Sequence, residues 1–305
     1  MTDTTNAQAL QETTSIANRA MKFRLSRGGT KRRVRDKDAE AMVKNALGDQ
    51  GQIVSRKLFN DEGNLVGQYQ NKSNEMYAYH VKATLPFGDD TSRVLPNTLY
   101  FPYTQKMNDF ISELAVLRSR ILPTWDAIVL ADITSRNLEL AAQGKPQSAH
   151  VSDYPTVQQM ENVLYVSWFP EPISTVNDFR FQLSPEMLDV AQKQFDDMVT
   201  ACSNARFVRV LTPISRMIEK LNEYKGDKGQ RWYDSFVDNI AAMPEEVRAL
   251  NIIDDPVLDA FLQQIDSIIL PCTLNPSLLK EDAFARDELK KKLESLESGL
   301  KGYCL

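Results

Sequence analysis

The strongest constraint on the fold is the helical spacing of apolar residues through the second half of the chain. Leu188, Phe195 and Cys202 repeat at seven, as do Ala191, Met198 and Ala205. The phase then shifts to Phe207, Ile214 and Leu221, with Leu211 and Ile218 between them. Trp232, Phe236, Ile240, Met243, Val247 and Leu250 carry the pattern on, followed by Leu258, Phe261, Leu262, Ile265 and Ile269. Leu289, Leu293, Leu296 and Leu300 close it. Such intervals stripe one face of a helix, and that face has to be buried against another element. Start and stop signals punctuate the stripes. Ser184 before Pro185, and Asp255 before Pro256, read as N-caps followed by a proline at the first helical position. Pro213 predicts a kink or a split into two helices, and "PCTLNP" (271–276) predicts an end.

The first half is more mixed. Residues 1–15 are Thr- and Gln-rich and read as a mobile tail. Asp36 and Asp38 open a short helix running to about Leu47, which Gly48 and Gly51 end. "NDEGN" (60–64) and "YKGDKGQ" (224–230) are turn signatures. "EMYAYHVKATLPF" (75–87) reads as extended, with Tyr77, Tyr79, Val81, Ala83 and Leu85 alternating. Met107, Phe110, Ile111, Leu114, Leu117 and Ile121 make an amphipathic helix that Pro123 should interrupt, and Trp125, Ile128, Val129 and Ile133 continue it. "ENVLYVSWF" (161–169) and "DFRFQL" (178–183) read as strands. The predicted class is mainly α with a minor β portion (α+β), kinked long helices packing on a small antiparallel element. The predicted organisation is a tail over 1–19 and a single globular domain over 20–303. Its β-containing parts fall at about 75–103 and 161–183, and its helical bundle at about 105–143 and 185–300.

Composition bounds the chemistry. The chain has 305 residues, 42% of them hydrophobic and 25% charged, which are ordinary globular values. No unbroken apolar run approaches the roughly 18 residues a bilayer span needs, and no signal-peptide pattern opens the chain, so a cytoplasmic protein without a membrane partner is expected. Cys202, Cys272 and Cys304 are odd in number and far apart, which points to free thiols. Net charge is −5, yet Lys22, Arg24, Arg27, Lys31, Arg32, Arg33 and Arg35 lie in one stretch without an acidic residue, so the rest of the chain carries −12. In "RGGTKRR" Gly28 and Gly29 would lend backbone freedom to a phosphate-tracking segment, although Phe23 is the one aromatic residue inside it.

Catalytic constellations are scarce. Neither GxxxxGK[ST] nor GxGxxG occurs, so the usual phosphate cradles are missing. His80 and His150 are the only histidines and lie far from the i, i+4 spacing of a zinc protease. There is no GxSxG for a nucleophile with a paired base. The acidic doublets at 89–90, 196–197 and 254–255 do not form a two-metal pattern, and "DELK" (287–290) sits in a helical stripe where a nuclease would place a strand. No cofactor and no metal site is expected.

Three motifs carry a resemblance: "TLPFGDDTSRVLP" (84–96), "DYP" (153–155) and "PEPISTVNDFRFQL" (170–183), with support from "WYDSFVDNI" (232–240) and "ALNIIDDPVL" (249–258). Together they resemble a family of tailed-bacteriophage proteins of unassigned function, over roughly residues 20–300. Phe87 stands where the family pattern has Trp, and Thr91 where it has Gly. The resemblance implies a mainly helical fold and an accessory or adapter role in the infected host cytoplasm. It also implies a phage or host protein partner, such as a MoxR-type AAA+ ATPase or a von Willebrand factor A-domain protein encoded nearby. Two alternatives stand beside it. One is binding of single-stranded DNA or RNA through Lys22, Arg24, Arg27, Lys31, Arg32, Arg33 and Arg35. The other is an enzyme whose site draws on the motif loops, with Asp89, Asp90, Arg93, Tyr154, Asp178 and Arg180 as its candidates.

Overall fold

The computed structural model describes residues 16–30, 33–48, 53–59, 64–145, 147–173, 184–224, 235–275 and 278–304. The expected tail at 1–15, the strand at 178–183, Trp232, and most of the turns at 60–64 and 224–230 lie outside these residues. In chain order the elements are β1 (Ala20–Arg27), β2 (Arg33–Arg35), α1 (Lys37–Leu47), β3 (Ser55–Lys57), α2 (Leu65–Ala83), β4 (Leu85–Phe87) and β5 (Asp89–Pro96). There follow α3 (Tyr100–Ile121), α4 (Trp125–Ala142), α5 (Val157–Val163), β6 (Val166–Glu171), α6 (Pro185–Glu223), α7 (Ser235–Ala249), α8 (Pro256–Leu274), α9 (Leu278–Glu281) and α10 (Ala283–Lys301). The fold is mainly α with a minor antiparallel β portion, as the periodicity predicts. A four-stranded sheet runs in the order β4-β5-β1-β6, and β2 pairs with β3 as a separate ribbon.

The chain divides into two compact units. One comprises Met1–Arg24, Val81–Phe101 and Phe169–Leu305; the other comprises Leu25–His80 and Pro102–Trp168.

In the first unit the helical stripes of α6 to α10 meet as expected. Ile214 and Met217 of α6, Leu258, Leu262 and Ile265 of α8, and Leu293 and Leu300 of α10 are fully buried in one cluster. Each such side chain contributes about 1.5–3 kcal/mol of burial. A second cluster sets Leu85, Phe87 and Val94 of the sheet against Phe195 and Cys202 of α6. The caps are the residues expected: Ser184 accepts from the Met187 amide, and Asp255 from those of Val257 and Leu258. By length and composition α8 could cross a bilayer, against the expectation of no such segment. Asp259 and Asp266 break its apolar run in the sequence, and its buried Leu258, Leu262, Ile265, Ile269 and Cys272 form part of the core.

The second unit is built on α3, α4 and their neighbours. Tyr103, Met107, Phe110, Leu114 and Ile121 line the buried face of α3. Pro123 interrupts it through a single 3-10 turn, Leu122–Thr124, before α4 begins at Trp125.

Three local readings change, and one holds. Residues 75–83 are the end of a helix, not extended. The face of α2 that is buried, Val66, Tyr69, Ser73, Met76 and His80, keeps a three- and four-residue period that starts outside the window of alternating Tyr and Val. The strand expected at 161–169 starts at Val166, because Thr156 and Gln159 form a capping box that launches α5 first. Pro213 lies inside a single assigned helix, α6, so no division into two occurs there. The end expected within 271–276 is found: α8 stops at Leu274, one turn after Pro271.

Candidate functional site

The basic segment is sorted by strand geometry into residues with internal partners and residues that face outward. In the first unit Lys22 makes an ion pair of 2.7 Å with Glu171, and Arg24 lies 3.7 Å from Glu171 and 3.9 Å from Asp89. The Lys22 ammonium, together with charge from Arg24, holds the Glu171 carboxyl below its usual range. In the second unit Arg27 donates to the Ser73 carbonyl at 2.9 Å and to Asn74 Oδ1 at 3.0 Å, with its guanidinium over the Tyr77 ring. Arg33 and Arg35 are exposed on β2; Arg35 pairs with Glu40 at 2.7 Å. Lys31 and Arg32 lie outside the described residues. The glycines serve close approach rather than freedom. Neither Gly28 nor Gly29 has positive φ. A Cβ on Gly28 would stand 2.1 Å from the Val163 carbonyl oxygen, and the Gly28 amide donates to the Tyr165 carbonyl at 2.9 Å.

The residues of "TLPFGDDTSRVLP" terminate a helix. Arg93 donates to Thr84 Oγ1 at 2.7 Å, to the Thr84 carbonyl at 2.8 Å and to the Val81 carbonyl at 3.2 Å. Arg209 of α6 reaches the same place, donating to the Lys82 and Val81 carbonyls at 2.5 Å each and to that of Thr84. These are carbonyls at the C-terminal end of α2, which lack helical partners and carry the negative end of its dipole. Burial, and secondly the charge of Arg93, push the Arg209 guanidinium down to about 10. Asp89 shapes the turn: Oδ1 accepts from the Thr91 amide and hydroxyl and from the Ser92 amide. Hydrogen bonds from Thr91 and then Ser92 draw its carboxyl down to about 2.

"DYP" is likewise consumed by structure. Asp153 pairs with the buried Arg56. The Tyr154 hydroxyl donates to Asp132 Oδ2 at 2.6 Å, and the Pro155 carbonyl accepts from Trp125 Nε1 at 2.8 Å. Burial raises the Tyr154 phenol, and its bond to Asp132 raises it further. The proposed enzyme set is therefore not assembled within either unit. Asp89 and Arg93 belong to the first and Tyr154 to the second, while Asp178 and Arg180 lie outside the described residues.

Other chemistry is sparse. His80 sits on α2, not on a strand, and shares a 2.6 Å hydrogen bond with the Tyr103 hydroxyl. Burial pushes the Cys202 thiol up to about 11, and raises those of Cys272 and Cys304. A thiolate nucleophile needs the opposite shift. Among the described residues no group of His, Cys, Asp and Glu is placed to hold a metal ion. An open groove of about 830 Å³ between α2 and α3 is bridged by Lys72, which pairs with Glu75 and Glu113. None of the candidate residues lines it.

Sequence reasoning missed Arg206 and Arg209. Arg206 is buried and held by Ser203, Asn251 and Asp255. The signal was present in "ARFVRVL" (205–211), where two arginines interrupt an apolar stripe that otherwise demands burial. In comparison with known protein families, curated proteins and solved structures, the chain matches none.

Proposed function

We propose that this chain is a non-enzymatic adapter that docks a protein partner on the outward face of α8. The resemblance to tailed-phage proteins supports a setting in the infected host cytoplasm, with an AAA+ ATPase or a von Willebrand A-domain protein among the partners to test. The observation that carries the reading is a helix face almost without charge in a chain that is 25% charged. Val257, Ala260, Leu270 and Leu274 are exposed, Leu270 at 54% and Leu274 at 77%, alongside the uncharged Gln263, Gln264 and Ser267. The one exposed acid of the helix, Asp266, is engaged by Arg248 at 2.6 Å. Phe284, near the start of α10, is also 77% exposed. Apolar side chains left in water on a face free of charge are typical of surfaces that bind other proteins. The structural employment of Asp89, Arg93 and Tyr154 supports the same reading by leaving them no free chemistry.

The test is purification of the tagged chain from infected cells beside a Leu270→Glu/Leu274→Glu variant. The expected result is a stoichiometric protein partner with the wild type and its loss with the variant, at unchanged thermal stability. Repeated recovery of the wild type alone, or retention of the partner by the variant, refutes the proposal.

A further inference from the structure

We infer that the outward face of the β2–β3 ribbon is a contact surface for the phosphate backbone of duplex nucleic acid. The ladder pairs Arg33 with Lys57, Val34 with Arg56, and Arg35 with Ser55. Side chains alternate along a strand, and directly paired residues share a face. One face therefore carries Arg33, Lys57, Arg35 and Ser55, all exposed. The other carries Val34 and the buried Arg56, which is tied to Asp153.

Two like charges directly opposite each other destabilise a ribbon. Neither Arg33 nor Lys57 has an ion-pair partner among the described residues, and Glu40 engages only the third cation, Arg35. The repulsion is left for an external anion to relieve. The ribbon is also anchored, so its cations are presented in fixed positions. The Asp36 amide donates to the Val54 carbonyl at 2.9 Å, the Asp36 carboxylate caps α1 through the Ala39 amide, and Glu40 accepts from the Val54 amide at 3.1 Å. Lys22, Arg24 and Arg27 are held by internal partners, so among the described residues of the basic segment the available charge concentrates here.

The chemistry of the face selects the ligand. Guanidinium groups match phosphate oxygens bidentately, and a serine hydroxyl adds a neutral donor. No aromatic side chain stands on this face to stack an unpaired base, which favours a duplex over a single strand. A two-stranded ribbon is an element the major groove admits. The acidic remainder of the chain confines such binding to the ribbon.

The full chain is titrated by fluorescence anisotropy against a short labelled duplex between about 50 and 200 mM salt, where phosphate contacts by Arg33 and Lys57 predict an affinity loss of about 12-fold. Arg33→Ala/Lys57→Ala should lower the log–log salt slope by about 1.8. Lys57→Glu places a carboxylate opposite Arg33, which favours the fold while removing binding, so a folding defect and a contact defect are distinguished. The inference is overturned by a wild type that does not bind duplex, by variants that keep the wild-type slope, or by tighter binding of single strand. It is equally overturned if polyglutamate competes as well as the duplex, which would assign the face to an acidic protein surface. These variants leave α8 intact, so the outcome is independent of the adapter test.

Discussion

Replacing Tyr154 with phenylalanine tests whether the "DYP" motif is structural. The hydroxyl donates to Asp132 Oδ2 at 2.6 Å, and the same oxygen accepts from the Phe59 amide at 3.0 Å. Phe59 holds φ of 55°, a left-handed conformation that a residue with a Cβ resists. It is kept there by the rings of Trp125 and Tyr154, at centroid distances of 5.6 and 5.5 Å. A hydrogen bond to a charged acceptor is worth about 1.5–3 kcal/mol, and the phenylalanine ring preserves the packing. The expected loss is therefore about 2 kcal/mol, read as a fall of about 3 °C in the melting midpoint by circular dichroism for a chain of 305 residues. The pH dependence adds a second readout. Burial and Asp132 raise the phenol in the folded state above the usual tyrosine value of about 10. A group raised on folding contributes stability that is complete below its unfolded pKa and declines as pH rises above it. The gap between wild type and Tyr154→Phe should hold near neutrality and narrow above about pH 10. Equal midpoints at neutral pH, with parallel pH profiles, would refute the structural reading and return Tyr154 to the list of functional candidates.

Gly28→Ala should cost more than about 2 kcal/mol, because its Cβ would meet a backbone oxygen at 2.1 Å and not a movable side-chain tip; a chemical-denaturation midpoint within error of wild type would contradict the close approach. Asp255→Ala and Asp282→Ala each remove a cap that accepts from two amides. The exposed Asp282 should cost about 1 kcal/mol, whereas Asp255 should cost more, since it also lies 3.8 Å from the buried Arg206 guanidinium; equal losses in the same assay would mean that Arg206 does not depend on it.

Long-period features were legible in the sequence, and short ones were not. The stripe of Leu289, Leu293, Leu296 and Leu300 extends over several turns of α10, so local noise could not hide it, and all four residues are buried. The segment 75–83 failed for the opposite reason. Tyr and Val there mimic an alternating strand, while the helical register was set by Val66 and Tyr69 farther upstream. Charge count was equally blind to environment. Lys22, Arg24, Arg27, Arg33 and Arg35 belong to one basic run, yet Glu171, Ser73 and Glu40 single out which of them are engaged. That sorting depends on strand register and on partners distant in sequence, neither of which a local pattern encodes.

Polar motifs depend on distant partners in the same way. A helix that ends inside a protein leaves carbonyls that water cannot reach, and each must find a donor. At the end of α2 the donors are Arg93 and Arg209, two guanidiniums sharing the Val81 and Thr84 carbonyls. Bringing two cations together away from water opposes folding, and the lowered Arg209 pKa registers that opposition. The negative end of the helix dipole and the unsatisfied carbonyls offset it. A lysine at either position would bring the charge without the planar fork that spans several acceptors at once. An arginine beside Asp and Thr on the strand that follows a helix is thus accounted for by helix termination.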